Sequence, residues 1–234
     1  MMTELRKTPA AASSDGDVSA FLDKVKTMAL GDAKGQGRLI FAMDATMSRQ
    51  PTWDRALSIQ SQMFAETKKV GQLQVQLVYF RGFNECKASR WVADPEALAR
   101  LMTAVDCRGG NTQLARVLSH VKTEAGRSGV SAVVYVGDAF EENIDSICQA
   151  AGEVGLLGTR MFMFQEGSDA TAERAFKEVA RLSRGAYFQL DNGSPSVLAE
   201  LLGAVAAYAA GGRKALESRA KSSNASQVLL RQLK

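Results

Sequence analysis

The 234-residue chain is poor in the side chains that carry the commonest site chemistries, with one His, three Cys, two Trp and four Pro. A Ser-His-Asp or Cys-His mechanism would have to use His120, which falls within a helical pattern, a poor setting for a mobile base. Cys86, Cys107 and Cys148 are odd in number, widely spaced and never arranged as C-x-x-C. That argues against a disulfide framework or a thiolate zinc site and leaves them as small, buried or half-buried residues. No window reaches the ~18 uninterrupted apolar residues of a membrane span; the nearest, Val197 to Ala210, contains Glu200. Met1 to Ser14 lacks the apolar stretch of a secretory signal, so a cytoplasmic location is expected.

What is present reads as a globular fold: 46% of the residues are hydrophobic and 23% charged. The net charge of +4 raises the question of nucleic acid, but its distribution argues against it. Residues 212–234 hold Arg213, Lys214, Arg219, Lys221, Arg231 and Lys234 against one anion, Glu217, and the remaining chain is nearly neutral. This basic segment is expected to be a flexible end, with at most weak contact to nucleic acid or anionic lipid.

Residues 1–16, rich in Ala, Ser, Thr and Asp, suggest a disordered arm. An amphipathic helix and a glycine linker follow over 17–36, with Val18, Phe21, Leu22, Val25 and Met28 at helical spacing. Strand and helix then alternate. Short apolar runs predict strands over Arg38–Met43, Leu73–Phe80, Ser131–Val136, Arg160–Phe164 and Ala186–Leu190. The turn Gly82-Phe83-Asn84-Glu85 leads into a short strand, Cys86–Val92, which must return antiparallel. Helices are expected from Pro51 to Val70, from Asp94-Pro95-Glu96 onward, after Thr112, over Glu141–Val154 and Asp169–Arg184, and from Pro195 to Tyr208. The pattern predicts one α/β domain over 37–211. Its sheet is doubly wound, mostly parallel and six-stranded, with helices on both faces and one short antiparallel edge strand.

In such sheets ligands bind beyond the carboxyl ends of the strands, where the strand order reverses. The loop after the first strand reads Asp44-Ala45-Thr46-Met47-Ser48, with oxygen side chains at its first, third and fifth positions. Gly109-Gly110-Asn111-Thr112 offers a hydroxyl at the mouth of a helix, and Asp138 follows the fourth strand. Two carboxylates and three hydroxyls, with no thiolate or imidazole, suit a hard divalent cation, Mg²⁺ first.

This set resembles the metal-ion-dependent adhesion site of the von Willebrand factor type A (VWA) family. That signature is D-x-S-x-S after the first strand, a Thr in a later loop and an Asp after the fourth strand. Here it reads D-A-T-M-S, G-G-N-T and V-G-D, with Thr46 in place of the first Ser and Met47 where Gly is usual. The resemblance implies that Thr46, Ser48 and Thr112 reach the ion directly or through water. Asp44 and Asp138 would supply the charge, Mn²⁺ could replace Mg²⁺, and bulky Met47 would partly cover the site. It further implies a non-enzymatic bacterial module that binds a protein partner through an exposed Asp or Glu, within an ATPase or chaperone system. Arg49, Arg55, Arg81 and Arg108 either rim this face, suiting an acidic partner, or are solvated surface. Two other readings use the same residues: a metal-dependent phosphoester hydrolase, or a metal-independent scaffold. A phosphatase-type Asp nucleophile would need a second acid at position 46, where Thr stands.

Overall fold

A computed structural model describes residues 36–67, 71–190 and 195–233. The arm expected over 1–16 lies outside these residues, as does the helix and linker expected over 17–36 apart from Gln36. The strands are β1 (Gln36–Asp44), β2 (Gln72–Arg81), β3 (Glu85–Ala88), β4 (Ala132–Gly137), β5 (Arg160–Glu166) and β6 (Ala186–Leu190). They form one sheet in the order β3-β2-β1-β4-β5-β6, with only β2–β3 antiparallel. This is the expected architecture, and it makes β1 and β4 central neighbours, with Met43 opposite Val136.

The helices are α1 (Gln50–Thr67), α2 (Pro95–Thr103), α3 (Leu114–Ser128), α4 (Ile144–Leu156), α5 (Ala170–Leu182), α6 (Pro195–Ala220) and α7 (Asn224–Gln232). Because β-strand side chains alternate, β1 feeds two cores. Leu39, Phe41 and Met43 pack with Trp53, Leu98, Met102, Leu202 and Val205 on one face. Ile40 and Ala42 pack with Val117, Leu118, Ile147 and Phe176 on the other. Asp94 caps α2 by accepting the Ala97 amide at 2.7 Å, with Pro95 at the first helical position, as its sequence predicts.

Three boundaries differ from expectation for local reasons. α4 starts at Ile144 rather than Glu141, because Asn143 is its cap and accepts the Ser146 amide at 3.0 Å. The carboxylates of Glu141 and Glu142 are instead turned toward the start of α3. β3 ends at Ala88, and pairing resumes only at a single bridge between Val75 and Val92. α6 runs on to Ala220, across a kink where Gly212 takes φ 64°, a left-handed conformation that suits Gly.

That extension corrects the flexible basic end expected over 212–234. Leu216, Leu229 and Leu233 are buried in the same core as β1. Ser223 caps α7, and Gln232 accepts the amide of Tyr187 on the edge strand β6 at 3.0 Å. The last helices thus cover apolar surface and blunt a sheet edge. Arg213, Lys214, Lys221 and Arg231 remain exposed on their outer side, so high charge and structural packing coexist on one amphipathic segment. Leu229→Ala should therefore lower the unfolding free energy by about 2–4 kcal/mol, read from the urea midpoint at unchanged slope. A flexible end would leave the midpoint where it was.

Candidate metal centre

The five oxygen-bearing residues singled out in the sequence meet in one cavity at the carboxyl ends of β1 and β4. Asp44, Thr46, Ser48, Thr112 and Asp138 line it, together with Met47, Gly109, Gly110, Ala139 and Glu141, around about 260 Å³. Each is placed by a separate local device. Asp44 is the last residue of β1, opposite Phe80 of β2, and its side chain is almost wholly buried. Its Oδ1 accepts the Thr46 amide at 2.8 Å, an Asx turn that bends the chain out of the sheet. A single 3₁₀ turn over Met47–Arg49 follows, in which the Arg49 amide donates to the Thr46 carbonyl at 2.9 Å. The turn sets the Thr46 and Ser48 hydroxyl oxygens 3.3 Å apart.

Thr112 comes from the opposite wall. Its amide points at Glu141 Oε2, 3.4 Å away, and its hydroxyl accepts the Glu141 amide at 3.3 Å. Glu142 receives the Leu114 and Ala115 amides at the open start of α3, at 2.5 and 2.9 Å. Two consecutive glutamates therefore fasten the Thr112 loop to the loop that begins with Asp138.

The glycines of the Thr112 loop serve close approach. A Cβ on Gly110 would lie 2.1 Å from the Gly82 nitrogen, and the Asn111 amide donates to the Gly82 carbonyl at 3.0 Å. Arg108 is also tied in, its amide donating to the Ala45 carbonyl at 2.9 Å. Met47 lines the cavity with 70% of its surface exposed.

The arginines divide differently from a simple rim. Arg49 reaches Asp138 at 3.0 Å and Glu166 at 2.5 Å, and Arg55 approaches Glu166 at 3.7 Å. Arg81 is buried, held by Glu85 at 3.0 Å and by the Asp106 carbonyl. Arg108 alone of the four is largely exposed. Sequence reasoning missed two acids here, Glu141 and Glu166. Glu166 ends β5 with 3% of its surface exposed, accepting from Thr52 as well as Arg49. Its signal was an acid closing the apolar run Met161 to Gln165, at the end of the strand next to β4.

Burial dominates the electrostatics of Asp44. It pushes the carboxyl up to about 6, with repulsion from Asp138 adding to the rise and the Thr46 hydrogen bonds opposing it. Tyr135, stacked on Phe80 at 5.6 Å and edge-on to Phe176, lies wholly buried behind the site, and its hydroxyl has no hydrogen-bond partner among the described residues. His120 is half-buried against Gln76 at 2.8 Å, and burial pushes its basicity down. It takes no part in the cavity lining. The three cysteines are free and half-buried, and desolvation raises all three thiols above their ordinary range. They are poor thiolates.

Among solved structures, a von Willebrand factor type A protein from Catenulispora acidiphila matches at a TM-score of 0.62 and 14% identity, over 76% of this chain and 43% of that one. The VWA domain of SpRpn10 matches at 0.56 and 12% identity, over 70% of this chain and 94% of that one. The fold is that of the VWA domains. Proximal thread matrix protein 1 from the mussel byssus also matches, at 0.58 and 14% identity, over 74% of this chain and 45% of that one. That structure carries zinc in its adhesion-site motif. No protein-family model matches the chain, and no curated protein matches it in sequence.

The residues of this VWA fold suit a hard dication by donor type and count. Two carboxylates and three hydroxyls provide oxygen alone, and near-neutral charge balance with a dication leaves room for water or an incoming ligand. Among the described residues no three His, Cys, Asp or Glu side chains cluster as a ready metal cage.

A carboxyl that burial raises binds more protons in the fold than in the unfolded chain between its two values. Its charge therefore costs stability progressively as pH rises from about 3.8 to about 6. Asp44→Asn keeps an oxygen for the Thr46 amide and removes the charge. It should stabilise the metal-free protein by on the order of 2–3 kcal/mol at pH 7–8, with the gain shrinking toward pH 4. Denaturant melts across that range, with chelator present, check both the sign and the window.

Proposed function

We propose that the chain is a divalent-metal-dependent protein-binding module that engages an acidic side chain of a partner through a bound Mg²⁺, with Mn²⁺ able to substitute. The observation that carries this reading is the convergence of Asp44, Thr46, Ser48, Thr112 and Asp138 on one open cavity. Asp44 and Asp138 would hold the charge, and the three hydroxyls would complete the protein's share of the sphere. The bound ion supplies open coordination positions that a partner's Asp or Glu can fill. Glu141 and Glu142 hold Thr112 and the start of α3 in place, so a partner meets a formed wall. Such preorganisation lowers the ordering cost of binding.

The module is read as non-enzymatic. Among the described residues the cavity lining has no imidazole, thiol or ammonium; of its three carboxylates, Asp44 and Asp138 are the ones assigned to the ion, and Glu141 is engaged with Thr112. By family resemblance the partner belongs to an ATPase or chaperone system in the bacterial cytoplasm. Among the described residues no helix is long and apolar enough to cross a membrane.

Calorimetry with Mg²⁺ tests the site directly. Asp138→Ala removes one of two assigned charged ligands and should weaken Mg²⁺ at least about tenfold, with the melting profile of the chelated protein largely kept. Unchanged affinity would remove the ion from this cavity. Because Asp44 must shed its proton to ligate, wild-type affinity should hold above pH 7 and fall as pH drops through about 6. Thr112→Ala should weaken an acidic partner peptide more than it weakens Mg²⁺, since a hydroxyl brings geometry without charge.

A further inference from the structure

The loop that carries Thr46 and Ser48 ends in an arginine that points back into the site. Arg49 Nη2 lies 3.0 Å from Asp138 Oδ2, its Nη1 lies 2.5 Å from Glu166 Oε2, and its Nε donates to Ser48 Oγ at 3.4 Å. One guanidinium therefore touches two of the five assigned ligands, Asp138 and Ser48, and a second acid, Glu166, that is not one of them. Its backbone is fixed by the same 3₁₀ turn that aims Ser48, so its reach into the site is built into the loop. Glu166 has the properties of a permanent anchor. It is 3% exposed at the end of β5 and also holds the Thr52 hydroxyl, with Arg55 at 3.7 Å. Asp138, by contrast, is a quarter exposed and open to the cavity.

We propose that Arg49 is the internal counter-ion of the metal-free site, neutralising Asp138 until a dication takes that carboxylate, while Glu166 keeps the guanidinium alongside. This rests on the metal-binding reading of the cavity. A planar guanidinium can hold two carboxylates at once through separate N–H groups, so it can release one without being lost from the other. A dication and a guanidinium compete for Asp138 because each is repelled by the other at contact distance. Arg49 thus sets how much metal the site needs, and Glu166 acts only through Arg49.

Mg²⁺ calorimetry on the full chain, with melting of the chelated protein as a folding control, tests the proposal. Arg49→Met should bind Mg²⁺ roughly tenfold more tightly than wild type, and its chelated form should melt lower because Asp138 loses its partner. Glu166→Gln should bind more weakly, since the guanidinium then rests on Asp138 alone. In the Arg49→Met background the Glu166→Gln effect should largely vanish, whereas long-range charge alone would leave it unchanged.

Equal or weaker binding by Arg49→Met, or a Glu166→Gln effect of the same size in both backgrounds, overturns the inference. If Arg49→Met does not fold, Arg49→Gln decides. Its neutral amide keeps hydrogen-bonding capacity but brings no counter-charge to Asp138, so tighter binding supports the proposal and equal or weaker binding overturns it. A wild-type protein that binds no divalent ion overturns this inference together with the reading of the site. Wild-type binding without the predicted tightening overturns this inference alone.

Discussion

Like charge gathered at one end of a parallel sheet is the constraint around which the rest of the molecule is arranged. β1, β4 and β5 are neighbours, and each ends in or leads straight into an acid: Asp44, Asp138 and Glu166. Two of these carboxylates are buried, where an unpaired charge is expensive. Each receives a different remedy. Asp44 accepts a backbone amide, which opposes the rise of its carboxyl to about 6 by burial, Asp138 takes one limb of Arg49, and Glu166 takes the other limb with Thr52. The Asx turn, the 3₁₀ turn and the start of α1 are the backbone consequences of supplying those partners in succession. A chain with apolar residues at the same strand ends would need none of them.

The scaffold is rigid enough to bear this concentration because the central strands are buried on both faces. Phe41 and Ile40, adjacent in sequence, sit in opposite cores at zero exposure. The glutamates before α4 add a second brace by tying the Thr112 and Asp138 loops together, so the cavity walls are held from both sides. At the far edge of the sheet, Leu216, Leu229 and Leu233 extend the core beneath the last two helices. That packing accounts for a segment that is both strongly basic and ordered: the apolar stripe faces in and the cations face out.

Strand order and the five assigned oxygens were legible because each has a strong local signature. Apolar runs without helical period mark buried strands, and the first polar residue after such a run marks the site rim. The course of the chain after Gly212 was less legible. Cationic residues at 213, 214, 219, 221, 231 and 234 dominated the composition, while the leucines that pack inward are spaced across two helices and a turn. The reason for a glycine at position 110 was not legible either: the Gly82 backbone leaves no space for a Cβ there. Glycine permits both freedom and close contact, and sequence alone does not separate them. The inward turn of Arg49 and Arg55 was also hidden, since both are drawn to Glu166, an acid more than a hundred positions away.

Identities of 12–14% to VWA folds that share this architecture follow from the same division of labour. The cores ask only for apolar volume at alternating positions, a demand that many sequences meet. The site asks for oxygen at a handful of loop positions, and the substitution of Thr46 for serine keeps that oxygen while adding a methyl group that the buried loop accommodates. Between these lies a third class of residue, represented here by Arg49 and Glu166. They carry no part of the core and no assigned ligand, yet they fix the charge that the ligands feel. On the metal-binding reading proposed above, such a site keeps every oxygen and still changes its affinity when one arginine is exchanged.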